Sequence, residues 1–295
     1  SISLNLKGLS DDNNPLGWGI ACYPNDDQAS FIVKDPVARA PRVLTESLAE
    51  WQDFRSTTFV CKIKGIFNQD YTHHETQPFS RSFAGRDWVY IHNGDLDKNK
   101  LESFPARRSR LLEPLGKADS EMAFCYLLSL MCEANVRELS DVNPNELLSW
   151  FMKLNEIGTA DMVISDGITT AIYYGFSSPN NIFYSRCQPP REYDILNVNT
   201  TQIELRDPRD TYHTELVVSS AVSEGEHWVQ MQPGQLILAR NASIVWNSIE
   251  EGVSRGAVTQ KIKTPKQKAL KEAVTNVRSI TKTPDGKPLT YRTYD

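Results

Sequence analysis

Arg86-Asp87-Trp88-Val89-Tyr90-Ile91-His92-Asn93-Gly94-Asp95 is the stretch on which the reading turns. Trp88, Val89, Tyr90 and Ile91 are aromatic or β-branched, with no Gly or Pro among them. Such a run forms a short, mostly buried strand, because these side chains fit a pleated surface. The strand then meets His92-Asn93-Gly94, which reads as a tight turn at its end. Asn carries an amide –NH2 donor, and Gly lets the backbone bend and bring its own N–H close to a bound group. Two such donors are what a developing oxyanion requires. An Asn-Gly pair between apolar runs is also the commonest short hairpin signal, so a plain turn is the competing reading.

The 295 residues suit one large domain or two modest ones, and 40% of them are hydrophobic, enough for a core. A formal net charge of -5 argues against a general nucleic-acid binder. No apolar run reaches about 18 residues, so no membrane span is expected. The opening Ser1–Asn14 lacks the basic and apolar regions of a signal peptide. Cys22, Cys61, Cys125, Cys132 and Cys187 are odd in number and contain no C-x-x-C pair. That pattern predicts free thiols, no structural zinc and a cytoplasmic location.

Ile2, Leu4 and Leu6 alternate with polar residues, as in a half-buried strand. Gly17 to Val33 reads as a hairpin, with two glycines at the head of its first strand. Glycine in a strand marks close approach by another backbone or a ligand. Val43 to Phe54 has helical spacing. Thr58 to Phe67 reads as a strand with Lys62 and Lys64 on one face. Asn68 to Pro78 is loop-like. Its adjacent His73 and His74 would point to opposite faces of a strand, so they make a poor metal pair.

Leu101 to Gly116 reads as a basic loop. Asp119-Ser120-Glu121 opens a long helix, with Asp119 placed as a cap. A second helix covers 145–155. Ala160 to Gly175 reads as a hairpin about Asp166-Gly167. Strands follow at 181–185 and 216–222, then a late hairpin about Asn241. Elements in blocks rather than strict alternation imply α+β rather than a doubly wound sheet. From residue 255 the chain carries about ten Lys or Arg against about three Asp or Glu. The division expected is therefore a globular unit over 1–254 and a basic linker, or the start of a further domain, over 255–295.

Gly17-Trp18-Gly19-Ile20, the strand before Lys64, Thr76-Gln77-Pro78-Phe79, His92-Asn93-Gly94 and Asp119-Ser120-Glu121 stand in a telling order. In order and near-spacing they resemble the class II glutamine amidotransferases. The nearer resemblance is to the stand-alone bacterial amidotransferase-like branch, which reads DGWGI, HIR, NT(H/Q)PF, HNG and TDSE. Met162 to Gly167, and Ser219-Ser220 with Glu226, Trp228 and Pro233-Gly234, are similar to later parts of that branch. The likeness covers roughly residues 1 to 250, and five motifs in order are fairly specific.

The resemblance implies a four-layer αββα sandwich of the N-terminal-nucleophile type, two stacked antiparallel sheets between helices. It implies hydrolysis of the glutamine side-chain amide by an N-terminal Cys whose own amine is the base. On these positions Asn93 and the Gly94 N–H form the oxyanion hole. Lys64, Thr76, Gln77 and Asp119 bind glutamine or glutamate, Asp119 at the α-ammonium and Lys64 at the α-carboxylate. No cofactor and no metal are implied. The partner the resemblance implies, besides glutamine or glutamate, is an ammonia-accepting domain or protein, whose identity the residues do not reveal.

The chain departs from the family where the chemistry is hardest. No Cys stands near the N-terminus, and Ser1 lies at the wrong distance from Gly17 to replace it. Cys22 sits mid-strand with no free amine beside it. Lys64 stands for the family's arginine and lacks its bidentate fork. Lys62 stands for the preceding His, Glu75 for the Asn of NTQPF, and Leu16 for the Asp of DGWG. Two readings compete: a glutaminase whose first strand lies upstream of Ser1, and a degenerate domain kept for binding or scaffolding. This exact chain is expected to release no ammonia. Loss of a nucleophile costs on the order of 10⁶ in rate in well-studied hydrolases.

Overall fold

The structure is a computed structural model. It describes residues 2–5, 16–24, 27–36, 47–48, 55–65, 72–104, 112–178, 180–187, 193–198, 201–206, 215–220 and 228–249. Only the backbone is described over 2–5, 193–198 and 201–206, and at Leu16, Arg55, Lys64, Gly65, Cys187 and Glu215. Ser1, most of 43–54 and the segment 255–295 lie outside the described residues.

Fifteen strands are described: β1 (Ile2–Asn5), β2 (Leu16–Pro24), β3 (Phe31–Asp35), β4 (Arg55–Gly65), β5 (Phe79–Phe83), β6 (Arg86–Leu96), β7 (Gly158–Ser165) and β8 (Thr169–Tyr173) come first. Then follow β9 (Phe183–Cys187), β10 (Tyr193–Val198), β11 (Thr201–Arg206), β12 (Glu215–Ser219), β13 (Val229–Gln230), β14 (Leu236–Arg240) and β15 (Ser243–Asn247). They make two six-stranded sheets, ordered β10-β11-β1-β4-β2-β3 and β15-β14-β8-β7-β6-β5, and a three-stranded sheet β12-β9-β13. Every described pairing is antiparallel.

Strand alternation explains the layering. Ala21, Tyr23 and Val60 of the first large sheet pack on Val89 and Ile91 of the second. The Tyr23 hydroxyl crosses the interface, its one proton shared between the carbonyls of Asp87 (2.9 Å) and Ser165 (3.0 Å). Trp18, Ile20 and Cys22, on the opposite face of β2, cluster with Leu48, one of the two described helical residues at 47–48. Trp88 and Tyr90, on the outer face of β6, lie in the largest core. That core is covered by α1 (Lys98–Glu102), α2 (Asp119–Glu133) and α3 (Pro144–Asn155) through residues such as Leu101, Phe124, Leu128 and Phe151. The Tyr90 and Phe124 rings stack with centroids 5.2 Å apart. Helix, sheet, sheet, helix is the αββα order the motifs implied. Among the described residues no helix is long and apolar enough to cross a membrane.

Several local expectations need correction. The expected turn at His92-Asn93-Gly94 does not exist: β6 runs straight through it to Leu96, paired with β7. Gly94 is there for clearance, since a Cβ would stand 1.9 Å from the Thr159 carbonyl oxygen. Asp119 is not a cap. Ala118 holds the cap position, and Asp119 is the first helical residue. Strand β5 and the β10–β11 hairpin were not foreseen. Residues 98–102, at the start of the expected basic loop, are helical, with Asp97 accepting from the Asn99 and Lys100 N–H groups.

Candidate functional site

The site collects at the C-terminal end of β6, where α2 begins. Alternate residues of a strand send their N–H groups to the same edge. On the β5 side of β6 the His92 N–H donates to Gln77 Oε1 at 2.6 Å, and the Leu96 N–H donates to Asp119 Oδ2 at 2.8 Å. The Gly94 N–H lies on that same edge, between two neighbours that side chains hold. Gly94 itself is exposed, so a ligand can reach it.

His92 and Asn93 point to opposite faces. The buried His92 ring faces α2. Its Nε2 lies 3.0 Å from the Thr159 carbonyl, which can only accept, so Nε2 carries the proton. Its Nδ1 then accepts from the Ser120 hydroxyl at 2.9 Å. Burial pushes the imidazole pKa below its ordinary value, outweighing the nearby Asp119 carboxylate, which pulls it up. The ring is neutral at pH 7. Ser120 has one proton, spent on His92, so it does not serve Asp119 Oδ1, 3.3 Å away. Asp119 is anchored at Oδ2 and still has an acceptor at Oδ1.

Asn93 faces the other sheet. Lys62 of β4 donates to Asn93 Oδ1 at 2.7 Å. The Asn93 –NH2 points toward Asp161 Oδ2, 3.4 Å away. Asp161 is buried on β7. It also accepts from the Gly175 N–H at 3.0 Å and from the Ser178 hydroxyl. The 175–178 turn is bonded in addition to α3, because Asn155 Oδ1 accepts from the Phe176 N–H at 2.8 Å and the Tyr173 hydroxyl at 3.1 Å. Asn155 Nδ2 donates to the Gly158 carbonyl at 2.8 Å.

Gln77 also braces the floor of the site. Besides holding the His92 N–H, its Nε2 lies 3.4 Å from Ser120 Oγ. The Gln77–Pro78 backbone sits on Gly19, where a Cβ would meet the Gln77 carbonyl oxygen at 2.1 Å. Register places Lys34, Gly19 and Lys62 in one row across β3, β2 and β4, on the face turned to the other sheet. Gln77–Pro78 thus covers the middle of a row with a lysine at each end. Lys62 reaches Asn93. Lys34 lines a separate open cleft of about 820 Å³ with Phe79, Arg81, Leu115 and Glu121. Burial lowers the Lys34 pKa to about 8. Glu121 in that cleft is already satisfied by Arg81 and by the Leu115 and Gly116 N–H groups.

Of the residues singled out in the sequence, Asn93, Gly94, Gln77 and Asp119 come together. Thr76 turns back into its own loop, its hydroxyl donating to the Thr72 carbonyl at 2.8 Å. The Lys64 backbone pairs with Gly17, and its side chain lies outside the described residues. Lys62, Asp161, Ser120 and Ser178 were not singled out as site residues. Signals pointed to two of them: for Lys62 a lysine alternating with apolar residues on a strand, and for Asp161 an acid inside the strand Gly158–Ser165. The described thiols are elsewhere. Cys22 packs against Trp18 and Leu48, and burial pushes the Cys22 and Cys61 thiols up to about 12. A thiol held that far up is a poor nucleophile at neutral pH.

Two antiparallel sheets thus stack face to face, with the Asn93 amide and the Gly94 N–H near the end of β6 beside the carboxylate at the start of α2. The chain belongs to the class II glutamine amidotransferases, whose pattern it matches over residues 1–263. It is 24% identical over 250 residues to protein MJ1515 of Methanocaldococcus jannaschii, covering 84% of this chain and 67% of that protein. It is 25% identical over 224 residues to YafJ of Escherichia coli, covering 74% of this chain and 82% of YafJ. Its fold is similar to the crystal structure of a predicted glutamine amidotransferase from Pseudomonas aeruginosa. There the TM-score is 0.62 and the identity 22%, over 78% of this chain and 87% of that one.

Proposed function

We propose that these residues form the glutamine-binding and oxyanion-holding part of a glutaminase site. The observation that carries this is the edge of β6, where the Gly94 N–H lies between N–H groups held by Gln77 and by Asp119. A substrate oxygen at that edge meets the Gly94 N–H, with the Asn93 –NH2 from the adjacent residue as second donor. Asp119 Oδ1, which no donor in the described structure fills, takes the α-ammonium of glutamine. Such charge-assisted contacts are worth roughly 1.5–3 kcal/mol when sheltered. Lys64 takes the α-carboxylate, as a point charge without the fork of an arginine.

The chemistry is amide hydrolysis. As a thiol adds to the side-chain carbonyl its proton passes to the amine of the same Cys, and that ammonium returns it to the amide nitrogen, so the oxyanion collapses to a thioester and ammonia leaves. Water then releases glutamate. The attacking thiol comes from outside the described residues, because no described cysteine adjoins Asn93. That same observation favours a second reading, a domain that binds glutamine or glutamate without turning it over and serves as a binding or scaffolding module. The site stands next to an ammonia-accepting domain or protein in the first reading only.

The test is ammonia release from glutamine by purified 1–295, expected to be undetectable, set beside the same chain extended upstream to include a Cys. Activity in the extended chain that falls on Asn93→Ala supports the glutaminase. Silence there, unrelieved by Lys64→Arg, establishes the binding module.

A further inference from the structure

Lys62 makes the shortest described polar contact of Asn93, 2.7 Å against 3.4 Å to Asp161. A primary amide has two ends related by a half-turn: its oxygen only accepts and its –NH2 donates. An ammonium only donates, and a carboxylate only accepts. Asn93 therefore sits between a pure donor on β4 and a pure acceptor on β7, and one orientation satisfies both. The flipped amide would set N–H against the ammonium and oxygen against the carboxylate. The Asp161 arm is the weaker of the two. It is longer, and its carboxylate already serves Gly175 and Ser178.

We propose that Lys62 is a positioning residue for the oxyanion hole, holding Asn93 Oδ1 so that the –NH2 stays turned away from the ammonium, on the side of Asp161. The proposal rests on reading Asn93 as the oxyanion donor. Lys62 acts in a second way through the same bond. A positive charge on the amide oxygen draws electron density from the nitrogen, so the N–H groups donate more strongly as charge builds on the substrate oxygen. The register supports a fixed role. Gly19 pairs with Lys62 on β2 and offers no side chain to compete, and Gln77–Pro78 closes that flank.

Two measurements test this. The first follows the side-chain amide signals of residues 1–295 labelled with ¹⁵N-asparagine, the Asn93 pair being assigned with Asn93→Asp. Lys62→Met should move that pair strongly, and Lys62→Arg, which keeps a donor, should leave it near its wild-type position. An Asn93 pair that is unmoved in Lys62→Met overturns the proposal. The second uses the chain extended upstream with its Cys. Loss of a whole oxyanion donor costs about 10²–10³ in kcat, and a misdirected one costs less, about 10-fold to 10²-fold. Lys62→Met should lower kcat by that smaller factor with KM within about twofold, and Lys62→Arg should restore most of it. A raised KM with unchanged kcat would instead make Lys62 a substrate ligand and overturn the positioning role. If the extended wild type releases no ammonia, the glutaminase reading fails, and the amide signals still decide whether Lys62 orients Asn93.

Discussion

The two faces of β6 are built from one run of residues and have different duties. Toward α2 the strand presents Trp88, Tyr90 and His92, all buried. Each polar atom that is bonded there is bonded to something neutral: Trp88 Nε1 to the Phe83 carbonyl, and His92 to Ser120 and Thr159. Toward the other sheet it presents Val89, Ile91 and Asn93, and at Asn93 the surroundings become charged, with Lys62 on one side and Asp161 on the other. The helix face secures the strand by packing. The sheet face ends in an amide held under tension between opposite charges. Apolar packing and a charged setting are thus separated by a single residue step along the strand.

The largest effect should come from emptying the helix face. Trp88→Ala removes a fully buried ring and should cost about 3–5 kcal/mol, read as a lowered urea midpoint, since the cavity term adds to the transfer term. A loss under about 1 kcal/mol would mean that the helix face is not where the strand is secured. Next in size is Asn93→Ala on the sheet face. In the upstream-extended chain it should reduce kcat by about 10²–10³, with far less effect on the urea midpoint than Trp88→Ala. If folding suffers more than turnover, the division between the faces is lost.

The smallest effect is a pH dependence confined to the helix face. Burial lowers the folded pKa of His92 below its ordinary value of 6.5. The unfolded chain then binds the proton more readily than the folded one, so stability is complete above about pH 6.5 and is lost as pH falls toward the folded value. The slope cannot exceed about 1.4 kcal/mol per pH unit. Urea midpoints at several pH values should fall on acidification in the wild type and fall less in His92→Gln. Equal slopes would mean that His92 is not the group that titrates.

Much of this was legible in the sequence because apolar alternation and motif order survive without tertiary information. The hairpin of β2 and β3, helix α3 and the β14–β15 turn about Asn241 follow directly from residue pattern. The Asn-Gly pair misled for a physical reason. Glycine permits a turn, and it equally permits close approach by a neighbouring strand, and only the position of Thr159 decides between them. Asp119 misled likewise, since an acid at a helix start resembles a cap until the Leu96 N–H is seen across the gap. Lys62 and Asp161 are 99 residues apart in sequence, and Lys62 departs from the His that the motif has at its place. They meet at Asn93 because β7 pairs beside β6 in its own sheet and β4 lies in the sheet facing it.

The turn at 175–178 has a mechanical consequence. It is bonded to α3 through Asn155 and to Asn93 through Asp161. A displacement at the C-terminal end of α3 is therefore geared, through two hydrogen-bonded pivots, to the orientation of one amide. The helix end works as a lever with its short arm in the site. Changes that relieve a damaged Asn93 setting would then arise at Asn155 or along 175–178, in positions that touch no substrate and that a search confined to the site's own walls would pass over.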